Sequence, residues 1–139
     1  MRPRSPLPGV IIERVSNLYL TITFIVAAMV AFSAIAKIRR DPRVVRTIHE
    51  VVGLPLSYFP LLAACELAGA FGLVLGIFWP LLGIVAGVGL ALYFLAAILS
   101  HFRVGDFAGV GPAFFMWAAV MVALGTRLHL GPHPHWYRF

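Results

Sequence analysis

Between residues 67 and 100 the chain has no aspartate, glutamate, lysine, arginine or histidine. As a single helix rising 1.5 Å per residue, this stretch would be about 50 Å long, against a hydrocarbon core of about 30 Å. It must therefore turn once. Phe78-Trp79-Pro80 is the natural place, because aromatic rings settle at the membrane interface and proline stops one helix or starts the next. This predicts two antiparallel spans, at about 59–79 and 81–100.

Two further spans are expected around this pair. No charge occurs between Val15 and Ala36, which predicts a first span at about 18–36. Arg2 and Arg4 ahead of an oily run, with Ala34-Ile35-Ala36 behind it, also fit the outline of a secretion signal. The run is long for a signal core, so it is read as a transmembrane helix. A last span at about 108–125 follows the polar break 101–106. The expected fold is an all-α bundle of four transmembrane helices forming one membrane domain over 1–139. Composition agrees: 61% of the 139 residues are hydrophobic and 12% charged, where a soluble domain has about 45–50% and 25%.

The connection between the first two spans carries its own signal. Asp41-Pro42 reads as an N-cap followed by proline at the first helical position. Val44, Val45, Ile48, Val51 and Val52 then recur at helical spacing. Arg43, Arg46, His49 and Glu50 fall on the other side, with Arg46 and Glu50 four apart. A short basic amphipathic helix at about 42–52 is expected to lie in the interface plane. Small residues supply packing ridges: Ala64, Ala68, Gly72 and Gly76 on the second span, and Gly83, Gly87 and Ala91 on the third.

The net charge of +6 does not point to nucleic acid. The basic residues flank oily runs, where they anchor to headgroups, and no separate basic face exists. The expected surroundings are the lipid bilayer and other membrane protein subunits. Lys37, Arg39, Arg40, Arg43 and Arg46 crowd the first loop, which leans the topology towards external termini.

Glu66 is the one acid inside any expected span, about 9 Å below the interface marked by Pro60. An ionisable group at that depth needs a partner or a function. Four antiparallel spans bring the end of the first, the start of the second, the end of the third and the start of the fourth to one membrane face. That gathers Ser33, Lys37, Glu66, Tyr93, Ser100, His101, Arg103 and Asp106 at one end of the bundle. Two uses stay open. Glu66 paired with Lys37 or Arg103 fixes helix register, or the cluster forms a polar pocket for a ligand such as a quinone headgroup. Cys65 is the one cysteine, so no internal disulfide forms, and it is expected to be a buried small hydrophobe. His129, His133 and His135 are read as a solvated tail: Pro132 and Pro134 prevent a helical pair, and no metal site is expected. Motifs for nucleotide hydrolysis or serine chemistry are absent.

Four stretches carry a resemblance: AFSAIAKI at 31–38, Leu54-Pro55 ahead of the second span, ELAGAFGLVLG at 66–76, and SHFRVGDF at 100–107. In that order and spacing, over about residues 18–126, the chain resembles the DoxX-like family of small four-helix membrane proteins. Members of that family are linked to membrane-bound oxidoreductase assemblies. These include thiosulfate:quinone oxidoreductase and an oxidant-response complex with a superoxide dismutase and a sulfurtransferase. A distant animal branch assists receptor assembly. The resemblance implies matching roles for Lys37, Glu66, His101 and Asp106. The lone Cys65 is a departure, since any thiol-pair chemistry would need a partner subunit. The expectation is an accessory or quinone-site subunit of a membrane redox complex in the bacterial cytoplasmic membrane, not catalytic on its own. The alternative is a structural or assembly subunit whose polar cluster only sets packing.

Overall fold

A computed structural model describes residues 8–130, and these residues form helices and short connections. Helix α1 spans Pro8–Ile38, α2 Pro42–Val45, α3 Phe59–Leu75, α4 Pro80–Arg103 and α5 Phe107–Leu130. Among the described residues four segments are long and apolar enough to cross a bilayer: α1, Leu56–Leu75 (α3 with the short turn ahead of it), α4 and α5. Helix α1 packs on α3 and α5, and α4 packs on the same two, so the four long helices stand as a square with chain-adjacent spans side by side. The protein is an all-α, four-span membrane bundle.

Each long helix contributes one stripe to the interior. On α1 the buried positions are Tyr19, Thr23, Val26, Ala27, Val30, Ala34 and Lys37, and on α4 Gly83, Gly87, Leu90, Phe94, Ile98 and His101. Steps of three and four residues keep such positions on one face of a helix with 3.6 residues per turn. The core is small and aliphatic at its centre, where Val30 and Val120 are fully enclosed beside Leu73, Leu90 and Phe94. The opposite faces carry Phe32, Phe71, Leu81 and Phe107, all more than 65% exposed, a surface suited to acyl chains rather than water.

The turn between α3 and α4 falls at Phe78-Trp79-Pro80, with Pro80 opening α4 and both aromatic rings exposed. Helix α3 stops at Leu75, because the chain tightens from Gly76 onward: Ile77 and Phe78 donate to carbonyls three residues back. Conversely α1 and α5 outrun the oily stretches that marked them. A hydrophobic run measures the part solvated by lipid, whereas the helical hydrogen-bond ladder continues through the headgroup layer. Helix α1, with 31 residues, is about 46 Å long.

Close approach of α3 and α4 depends on glycine. A side chain on Gly76 would collide with the backbone of Gly83, one on Gly72 would meet Ala86, and one on Gly69 would meet Leu90. The working ridge on α3 is therefore Gly69, Gly72 and Gly76. Ala64 and Ala68, expected to belong to it, are exposed. The four-residue spacing drifts off the contact face of a straight helix, and the three-then-four spacing stays on it.

The connection after α1 begins with a left-handed residue, Arg40 (φ 51°), and the predicted cap forms: the Asp41 carboxylate accepts from the Arg43 amide at 2.9 Å. The α-helical register lasts only through Val45, and residues 46–51 form a π-helical turn. Gly53 (φ 82°) closes the segment, while Leu54 donates to the Ile48 carbonyl and its own carbonyl meets His49 Nδ1 at 3.0 Å. Arg43, Arg46, His49 and Glu50 are exposed, whereas Val44, Val45, Ile48 and Val52 are half-buried. The expected two-sidedness is present except at Val51, which is exposed because the wider coil turns it off the apolar side.

Candidate functional site: a buried charge cluster at one end of the bundle

Glu66 sits in the α3 stripe with Phe59, Ala63 and Gly69, so its carboxylate points into the bundle rather than towards lipid. Its exposure is 0%. Lys37, in the last turn of α1, reaches both carboxylate oxygens, at 3.0 Å to Oε1 and 2.9 Å to Oε2. Ser33, one turn earlier on α1, donates its hydroxyl to Glu66 Oε1 at 2.9 Å, and its oxygen accepts from Lys37 Nζ at 2.9 Å. All three ammonium protons of Lys37 thus have an acceptor, a requirement for holding a charge out of water. The half-buried Tyr93 of α4 stands near the same carboxylate. Helices α1 and α3 are tied through one side chain.

His101 and Asp106 form a second pair at the end of the same bundle, with Nδ1 to Oδ2 at 2.9 Å. The other Asp106 oxygen accepts from the Gly109 amide at 3.1 Å and so caps the start of α5. Gly109 is obligatory beside this pair, because a side chain there would strike the His101 ring and the Asp106 carboxylate. Asp106→Ala removes both the cap and the imidazole partner. A loss of about 1–2 kcal/mol is expected, read as a lower midpoint in detergent unfolding. An unchanged midpoint would mean that the turn is held by Gly105 and packing alone.

Of the residues expected to converge, Ser33, Lys37, Glu66 and Tyr93 meet, and His101 meets Asp106. Arg103 joins neither group: it is exposed in the last turn of α4, against a separate cavity with Ser100. Cys65 is exposed, not buried. Its neighbour Glu66 takes the inward position, and one residue is a turn of about 100° on a helix. Cys65 is therefore expected to react in intact vesicles with a small membrane-permeant maleimide and to escape a bulky charged one. Labelling by both reagents would put this face of α3 in water.

One buried charge was not anticipated. Arg127 lies beyond the last span expected at about 108–125, but α5 continues to Leu130 and Arg127 is 2% exposed. Its guanidinium lies 5.4 Å from the centre of the Tyr19 ring, a cation–π contact between α5 and α1 at the opposite end of the bundle. The signal was available, since Val120, Ala123 and Arg127 continue one helical face. His129 is exposed near the end of α5, and His133 and His135 lie outside the described residues.

Square packing of four oily helices, with a lysine–glutamate pair clamping the first two at one end, defines a small integral membrane protein with an internal charge lock. The family model of the DoxX-like family matches residues 21–125, from within α1 nearly to the end of α5. The chain belongs to the DoxX-like family. No curated protein and no solved structure matches it.

Proposed function

We propose that this protein is a non-catalytic accessory subunit of a membrane protein complex, and that the Lys37–Glu66 cluster is the clamp that keeps its bundle in shape. The observation that carries this reading is saturation. Both oxygens of a fully enclosed carboxylate are occupied by groups of the same chain, and the lysine spends every proton inside the cluster. A ligand would have to break about two charge-assisted hydrogen bonds in a low-dielectric interior before making its own. The redox assemblies attached to the family resemblance supply the class of partner, and the bacterial cytoplasmic membrane is the location. The dense basic connection after α1 faces the cytoplasm.

A quinone-site reading draws on one specific observation: Ser33 and Tyr93, unlike Glu66, are only half-buried, so two hydroxyls of the cluster lie towards its edge. Gentle purification of the native complex from membranes separates the two. Glu66→Gln is compared with the wild type for co-purifying subunits, quinone and electron transfer. The clamp reading expects loss of subunits in proportion to loss of bundle stability, with the bound quinone per assembled complex unchanged. Intact assembly with quinone or electron flow lost would overturn it in favour of the ligand site.

A further inference from the structure

At the end of the bundle that holds the Lys37–Glu66 pair, the turn after the π-helical segment leans against the last turn of α4 and leaves a cavity of about 250 Å³. Its walls are Val52, Gly53, Leu54, Ser100, Arg103 and Val104. We propose that this cavity binds the phosphate headgroup of an anionic membrane phospholipid, with the Arg103 guanidinium as its principal ligand.

Five observations converge on that chemistry. Arg103 ends α4, directly after a span free of charge from Pro80 to Ser100, which sets its guanidinium at headgroup depth. It is exposed and takes no part in the Glu66 or Asp106 clusters. Guanidinium presents two parallel N–H donors matched to phosphate oxygens, and the cavity's remaining walls are mainly apolar, as a glycerol backbone and first methylenes require. Phe102, next to Arg103, and Phe107, which opens α5, are 51% and 72% exposed with their rings 5.9 Å apart, a platform for an acyl chain. The connection preceding the cavity carries exposed Arg39, Arg40, Arg43 and Arg46 against Asp41 and Glu50, so the local field favours an anion. The site is independent of the clamp and stands or falls without it.

The test uses the full chain in detergent micelles, with native mass spectrometry reporting retained lipid. Its arms are a short-chain phosphatidylglycerol, the matching phosphatidylcholine, and inorganic phosphate at equal ionic strength. Wild type is compared with Arg103→Gln, with Val104→Trp, which fills the cavity and leaves the charge, and with Arg43→Gln, which removes an exposed charge outside it. The expected result is preferential retention of phosphatidylglycerol, reduced about tenfold by Arg103→Gln and by Val104→Trp but less than twofold by Arg43→Gln. Equal losses from Arg103→Gln and Arg43→Gln would overturn the site in favour of diffuse surface charge. Competition by inorganic phosphate as effective as by the lipid would overturn the lipid as its source. Retention unchanged by Val104→Trp would overturn the cavity.

Discussion

Replacing Lys37 with methionine should destabilise the bundle by about 3–5 kcal/mol, the largest effect expected of any single substitution in the protein. The substituted side chain has nearly the same length, so packing is preserved and the loss is electrostatic. Glu66 is left at 0% exposure with the Ser33 hydroxyl as its remaining hydrogen-bond partner. A carboxylate stripped of its cation in such a setting costs several kcal/mol or takes up a proton, which caps the penalty. Glu66→Gln should cost less than Lys37→Met, because the amide keeps an acceptor for Lys37 and the lysine stem lies near the helix end, where it can turn towards headgroups. Unfolding in mixed micelles reads these changes directly. A Lys37→Met protein within 0.5 kcal/mol of wild type would show that the pair contributes nothing to holding α1 on α3.

Gly76→Ala should be the second most damaging change, at about 1–3 kcal/mol, with Gly76→Leu worse. An added Cβ at that position meets the backbone of Gly83 on α4, and backbone cannot rotate away as a side chain can. At Gly69 the obstacle is the Leu90 side chain, which has other rotamers, so Gly69→Ala should cost less. Gly89 faces open space, and Gly89→Ala should be neutral or slightly stabilising through helix propensity. The ranking Gly76, Gly69, Gly89 can be measured as thermal midpoints in one detergent. If Gly76→Ala melts with Gly89→Ala, the close crossing of α3 and α4 is not what sets the turn at Trp79.

The four spans were legible because hydrocarbon imposes a hard rule on sequence. The uncharged run at 67–100 exceeds one crossing, and Phe78-Trp79-Pro80 marks where it folds back. The meeting of Lys37, Glu66, Ser33 and Tyr93 could be anticipated for a related reason: antiparallel topology fixes which helix ends share a face, and a lone acid at membrane depth must find a cation. What escaped was angular. Depth along a helix follows from residue number, but the choice between Lys37 and Arg103 as partner depends on rotation about the axis, and Arg103 faces outward. The same rotation turns Cys65 outward as Glu66 turns inward, and it shifts the α3 ridge from Ala64 and Ala68 to Gly69. Arg127 escaped because an oily run marks only the lipid-solvated part of a helix, and the last turns of α5 continue beyond it.

The most direct measurement is a double-mutant cycle on the clamp, using Lys37→Met, Glu66→Leu and the double replacement, with unfolding free energy and complex assembly followed together. An internal lock predicts that the two single losses are not additive, with a coupling of about 2 kcal/mol or more, and that the doubly apolar protein recovers both stability and assembly. Additive losses, or a double replacement that folds stably yet fails to assemble, would contradict it.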